Sequence, residues 1–236
     1  MKSTFQEKAY CYVLNKIKQS HYKPGMALKE EVLAREIGVS ATPVREAFRR
    51  LEREGWVENK PYKGCFLKEY TLDELKELCI LRESVEVACV TEIIKNIKDS
   101  DWKLLNSVIN ESEKLAKIIN NGLDNQKKEE YEILCREQDS LFHSALIKAS
   151  HCKKLVKLAE TWNIQIQGYA IKPFVKNCND NVGYFHYVVE QHKAILISLK
   201  LGWDSAAREL IRAHISTAFE HLLTRLNKEK KIKKNK

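Results

Sequence analysis

No window of this 236-residue chain approaches the roughly 18 consecutive apolar residues of a membrane span, and the N-terminus lacks an apolar core of signal-peptide length. The expectation is a cytoplasmic protein with no membrane partner. Paired cysteines are missing as well. The seven stand at 11, 65, 79, 89, 135, 152 and 178, an odd number without a CxxC, which argues against a disulfide framework and against a thiolate zinc site. Reduced, buried thiols are the simple reading. There is no internal repeat, and beyond residue 70 no strand-like alternation of apolar and polar residues.

What is present is an uneven distribution of charge. The net charge is +9, with 44% hydrophobic and 31% charged residues. Residues 1–70 hold 14 basic against 9 acidic side chains and residues 227–236 hold 6 against 1, so residues 71–226 are left near neutral at −1. A basic N-terminal domain joined to a neutral body implies two separate jobs. The Lys-rich end from Lys228 reads as a solvated, disordered tail with at most weak nonspecific attraction to nucleic acid.

The stretch from Pro24 to Gly64 organises the first domain. Leu28, Val32, Leu33 and Ile37 recur at helical spacing, Gly38 is placed to end that helix with positive φ, and Ser40 is placed to cap the next. Pro43 falls in the first turn, where its missing N–H removes no helical bond. Val44, Ala47, Phe48 and Leu51 form a buried stripe, which turns Ser40, Ala41, Thr42, Arg45 and Arg49 outward. An earlier helix is marked by Phe5, Tyr10, Val13, Leu14 and Ile17. After Gly55, Trp56-Val57-Glu58 and Cys65-Phe66-Leu67 read as two strands around a tip containing Lys63 and Gly64. This is a helix-turn-helix followed by a hairpin wing, and its basic second helix suits double-stranded DNA and a plain solvated face equally well.

Specific wording supports that reading. Lys23-Pro24-Gly25, Leu33-Ala34, Ile37-Gly38-Val39-Ser40, Thr42-Pro43-Val44-Arg45-Glu46-Ala47, Arg50-Leu51-Glu52 and Glu54-Gly55 resemble the winged helix-turn-helix of GntR-family bacterial transcription regulators. The resemblance covers about the first seventy residues. It implies a homodimer on a palindromic operator, with Ser40, Ala41, Thr42, Arg45, Arg49, Lys63 and Gly64 at the DNA. Ala41 stands where relatives often carry a base-reading Arg, so the operator sequence does not carry over.

A capping box, Thr71 with Glu74, starts the second domain. From there the period is helical over roughly 72–97, 101–121, 127–149, 152–170, 182–201 and 204–226, an antiparallel all-α bundle. Polar residues interrupt its apolar stripes. Asp139 and His143 share one face at i and i+4 beside Phe142, Leu146 and Ile147; His192 lies among Val188, Val189, Ile195 and Leu196; His214 lies among Leu210, Ile211 and Ala218. Each is costly to bury unsatisfied. Separate hydrogen-bonded core residues or one shared divalent cation would both answer that cost, and periodicity alone does not choose between them. His186 lies off the His192 face and His151 in a helix break, while His221, seven residues on from His214 and near its face, is two turns away and reads as a surface or end-of-bundle residue.

Leu81-Arg82 with Glu86, Asp139-xx-Phe142-His143-xx-Leu146, Glu190 and His192 read with Ile195-Leu196, and Gly202-x-Asp204-xx-Ala207 followed by His214 look like the FCD ligand-binding domain of the FadR subfamily. That resemblance implies a metal on Asp139, His143, His192 and His214, with zinc first and nickel or manganese compatible, beside a pocket for a small carboxylate effector. The helix from Lys153 offers Asn163, Gln165 and Gln167 but no Arg, whereas many relatives place one near the ligand; Arg82 and Gln165 are left as the candidate ligand contacts. On spacing, Arg82 is equally an ion-pair partner of Glu86. His151-Cys152 also departs from the small-residue-plus-Asn turn usual in the family. The reading is a metabolite-controlled DNA-binding regulator, not an enzyme. Its rivals are the same regulator without metal, holding a larger acyl ligand, and a metal-dependent hydrolase.

Overall fold

The structure, a computed structural model, describes residues 4–19, 21–121, 128–159 and 179–234. The described residues fall into two compact units, one up to Thr71 and one from Leu72 onward.

The first unit opens with α1 (Phe5–Lys18), capped by the Thr4 side chain accepting from the Glu7 N–H at 3.2 Å. α1 buries Ala9, Tyr10, Val13 and Ile17 and leaves Phe5 exposed, so Phe5 is not on the core face expected of it. α2 (Glu30–Ile37) is short and ends at Gly38, whose φ of 73° provides the left-handed cap. Its core face is Leu33, Ala34 and Ile37. Val32 is 37% exposed, because one step along an eight-residue helix turns a side chain by about 100° and away from that face. Leu28 is buried too, but in a strand: Ala27–Leu28 forms β1 ahead of the helix.

α3 (Ala41–Arg53) buries Val44, Ala47, Phe48 and Leu51, as its period predicts. β2 (Val57–Lys60) and β3 (Gly64–Leu67) form the hairpin, and β1 adds to the far side of β3 in the antiparallel order β1-β3-β2. A two-residue strand has no period to read, so β1 is invisible in the sequence. Trp56, Val57, Cys65 and Leu67 close the core beneath the helices. Tyr70 is buried and donates to the Gly55 carbonyl oxygen at 2.6 Å, tying the exit of the unit to the wing.

The second unit is all helix among the described residues: α4 (Leu72–Asn96), α5 (Asp99–Asn120), α6 (Lys128–Ala149), α7 (Asn179–Lys200) and α8 (Asp204–Lys234), with residues 153–159 also helical. α4 packs on α6 and α8, α5 on α6 and α7, and α7 on α8. Phe142, Leu146, Ile195 and Ile211, all fully buried, fill the space between them. Arg208 of α8 fastens two helices, donating to the Val87 carbonyl at 2.7 Å, to Thr91 Oγ1 at 2.5 Å and to Asp204 Oδ1 at 2.6 Å. α8 does not stop near residue 226 as expected; it runs to Lys234, since a helix already nucleated continues cheaply through Lys and Glu. Gln165 and the rest of the segment around it lie outside the described residues.

Candidate metal centre and nucleic-acid interface

Three helices bring four donors together. Asp139 and His143 come from α6, His192 from α7 and His214 from α8, and one ligand atom from each lies within 4.8 Å of all the others. Asp139 Oδ1 stands 3.5 Å from His143 Nε2, 3.4 Å from His192 Nε2 and 3.8 Å from His214 Nε2. His143 Nε2 and His214 Nε2 are 3.0 Å apart, and His192 Nε2 is 3.4 Å from His214 Nε2. Donors held about 2.0–2.1 Å from a tetrahedral zinc would be separated by about 3.3 Å, a value inside the 3.0–3.8 Å range of these five separations. The histidines are buried, while the Asp139 side chain stays 33% exposed and marks the accessible side.

The outer hydrogen bonds decide what these nitrogens offer. His143 Nδ1 lies 2.7 Å from Glu86 Oε2, and a carboxylate only accepts, so Nδ1 carries the proton. His214 Nδ1 lies 2.9 Å from the Gln191 amide oxygen and is protonated for the same reason. Each neutral ring is then left with its lone pair on Nε2. Two such lone pairs facing each other at 3.0 Å repel unless a proton or a cation stands between them. His192 is held differently, with its ring stacked on Phe142 at 3.8 Å and 11°.

Electrostatics agree with that requirement. Burial pushes His192 down to about 4 and, with the neighbouring imidazoles, takes His214 well below its ordinary value, so both remain neutral donors at physiological pH. Burial and Arg82 press His143 downward, but Glu86 and Asp139 outweigh them and leave it raised. Burial opposes ionisation of Asp139, yet His143, His192 and Arg82 hold its carboxyl well below the usual range. The site therefore presents an anionic oxygen and three imidazoles with room for one positive centre. That donor set fits a divalent cation.

Arg82 lies beside this cluster. Its Nε donates to Glu86 Oε1 at 2.8 Å, and its buried Nη2 has no hydrogen-bond partner, with Asp139 Oδ2 3.8 Å away. Glu86 is wholly buried. Sequence reasoning took it only as a partner for Arg82 and missed both its bond to His143 and the role of Gln191. A Glu one turn from an Arg is normally a solvated pair, so the signal for Glu86 was weak.

In the first unit, Ser40 at the N-cap of α3 and Thr42, Arg45 and Arg49 along the helix are exposed, and Ala41 is half-buried. Arg45 Nε lies 2.9 and 3.0 Å from the two Glu30 carboxylate oxygens, and Arg49 Nη1 donates to Glu46 Oε1 at 2.8 Å. The guanidinium-bearing side chains remain 61% and 69% exposed. Such surface pairs contribute only about 0–1 kcal/mol and yield readily to a phosphate or a base edge. Tyr62, Lys63 and Gly64 form the exposed tip of the wing, with φ of 61° at Tyr62 and 94° at Gly64. Among the described residues, no helix is long and apolar enough to cross a membrane.

Comparison with known proteins completes the picture. Residues 5–67 match the bacterial regulatory proteins of the gntR family, and residues 77–217 match the FCD domain. The HTH-type transcriptional regulator YdhC of Bacillus subtilis is 28% identical over 85% of this chain and 83% of its own length. The HTH-type transcriptional repressor RspR of Escherichia coli is 20% identical over 84% of this chain and 79% of its own. Among solved structures, a GntR transcriptional regulator from Rhodococcus sp. RHA1 superposes with a TM-score of 0.72 at 20% identity, covering 93% of this chain and 97% of that one. E. coli McbR/YncC gives 0.69 at 20%, covering 94% and 98%. These are regulators of transcription rather than catalysts, which removes the hydrolase reading. The chain belongs to the GntR family of bacterial transcription regulators, pairing an N-terminal helix-turn-helix domain with a C-terminal FCD effector domain.

Proposed function

We propose that this regulator binds a palindromic operator as a cytoplasmic homodimer, and that a small carboxylate, held next to a divalent metal in the C-terminal domain, sets its affinity for DNA. The division of labour runs from a winged helix over residues 1–70 to a ligand domain over 71–226. Asp139, His143, His192 and His214 would hold the metal, zinc in the first place, with nickel and manganese compatible with the same donors. When bound, the metal supplies a Lewis-acidic centre that an oxygen of the effector can complete.

The observation that carries this reading is the meeting of the His143 and His214 Nε2 lone pairs at 3.0 Å, with a carboxylate oxygen and a third imidazole closing the shell. Arg82 contributes a second attraction for an anion, because its unpartnered Nη2 is buried beside that cluster. Ser40, Ala41, Thr42, Arg45 and Arg49 would meet the major groove, with Lys63 and Gly64 on the flanking backbone. Control is linkage: an effector that prefers the DNA-incompatible arrangement weakens operator binding by that same preference.

The test has two arms. Protein purified without chelator is analysed for metal, and about one ion per chain is expected. Metal-loaded protein is then screened by thermal shift against small carboxylates, and hits are added to a complex with a selected palindromic duplex. Metal-free protein that responds equally to the same acids would overturn the metal part; no effect of any hit on DNA binding would overturn the control.

A further inference from the structure

Glu86 is a carboxylate with no exposed surface, a costly placement unless both oxygens are satisfied. They are. Oε1 accepts from Arg82 Nε at 2.8 Å and Oε2 from His143 Nδ1 at 2.7 Å. One group thus touches the arginine proposed to meet the effector and the histidine proposed to meet the metal, and it lies on α4 while His143 lies on α6. Arg82 does not need it for neutralisation alone, since Asp139 is also within 3.8 Å. His143 is more dependent. Glu86 is the acceptor that fixes the proton on Nδ1 and leaves Nε2 open towards His214 and Asp139.

We infer that Glu86 is the positioning residue of the metal centre, holding His143 in the metal-binding tautomer and passing to it the effect of an anion on Arg82. The inference rests on the metal reading above. Its chemistry is that of a shared acceptor. While Arg82 donates to Oε1, part of the carboxylate charge is spent on the guanidinium. An anionic ligand that draws Arg82 towards itself leaves more of that charge on the His143 N–H, which makes Nε2 a stronger donor. Metal and effector should therefore favour each other through Glu86. His214 has only the neutral Gln191 amide behind it, so the two histidines differ in how strongly they are backed.

The experiment is a zinc titration against a chromophoric competitor chelator on the full chain, for wild type, Glu86→Gln, Arg82→Met and the double variant. An amide can accept from His143 or offer it an N–H, so the tautomer is no longer fixed. Glu86→Gln should weaken zinc by about 10–100-fold whether or not Arg82 is present, as loss of an outer hydrogen-bond partner does elsewhere. Gln191→Leu should weaken it less. Cobalt(II) loaded in place of zinc gives a second readout, and Glu86→Gln should alter its visible absorption, a change that a loss of stability alone does not produce. Glu86→Asp, which keeps the charge but shortens the reach, should fall between and serves if Glu86→Gln does not fold.

Zinc affinity unchanged in Glu86→Gln, or changed only while Arg82 is intact, would overturn the inference and reduce Glu86 to a counter-ion. Wild-type protein that takes neither zinc nor cobalt would overturn the metal reading itself, and the inference with it.

Discussion

If the four donors hold a cation, its removal must cost stability by an amount that can be worked out. Binding to the native state alone stabilises by about 2.7 kcal/mol when free ligand is 100 times its dissociation constant. In a domain of this size, each kcal/mol shifts the melting temperature by about 2–4 °C. Zinc at that excess should thus raise the melting of the C-terminal unit by about 5–10 °C over chelated protein. His143→Ala and His214→Ala should abolish the shift, since each removes a nitrogen of the 3.0 Å pair. Asp139→Asn should lose less, because an amide oxygen still coordinates. Scanning calorimetry with and without chelator measures this, and the transition of the N-terminal unit serves as the internal control. An identical zinc shift in His143→Ala, His192→Ala, His214→Ala and Asp139→Asn would mean that these groups are satisfied core polars, with the ligand held by Arg82 and its neighbours.

The remaining predictions use the same structure. Arg45→Ala should cost on the order of 1–3 kcal/mol on a selected operator and little on random DNA, whereas Lys63→Ala should weaken both; equal losses for Arg45→Ala by anisotropy would make it a phosphate contact. Sedimentation at micromolar concentration should give a homodimer, and a monomer with and without DNA would sink the palindrome. Phe142→Ala, which removes a fully buried ring stacked on His192, should cost about 3–5 kcal/mol in denaturant unfolding and weaken zinc as well. Because His143, held above its ordinary value, must surrender a proton to bind metal, the zinc-induced shift should be full above its pKa and shrink as pH falls through it, while His192 and His214, already neutral, add no loss until pH nears about 4; a shift unchanged between pH 8 and 5 would mean that His143 is not a ligand.

Much of the first unit could be read in the sequence, for a definable reason. Gly38, Pro43 and the Val44, Ala47, Phe48, Leu51 stripe are local signals, and local signals report local backbone. Leu28 was misplaced into a helix because a lone buried Leu before a helix looks the same whether it sits in a strand or a turn. The helices of the second unit were legible to within a few residues where both of their ends are described, except the end of α8, where a Lys-rich run gives no apolar period to follow; the helix expected over 152–170 is described only over 153–159. The centre is another matter. Spacing put Asp139 beside His143, but nothing in spacing says that α7 and α8 aim at the same point; that came from a resemblance and then from the geometry. Glu86 and Gln191 stayed hidden because their partners lie 57 and 23 residues away in the chain.

That distance has a consequence of its own. His143 and His214 are 71 residues apart, and His192 and His214 are 22 apart. An ion gripping all three would pin the chain into closed loops, as a disulfide does, and cross-links over loops of that length restrict the unfolded chain by an amount worth about 3–5 kcal/mol. Unlike a disulfide, this staple opens without any change of oxidation state. The lifetime of the folded domain against proteases would then follow the supply of metal.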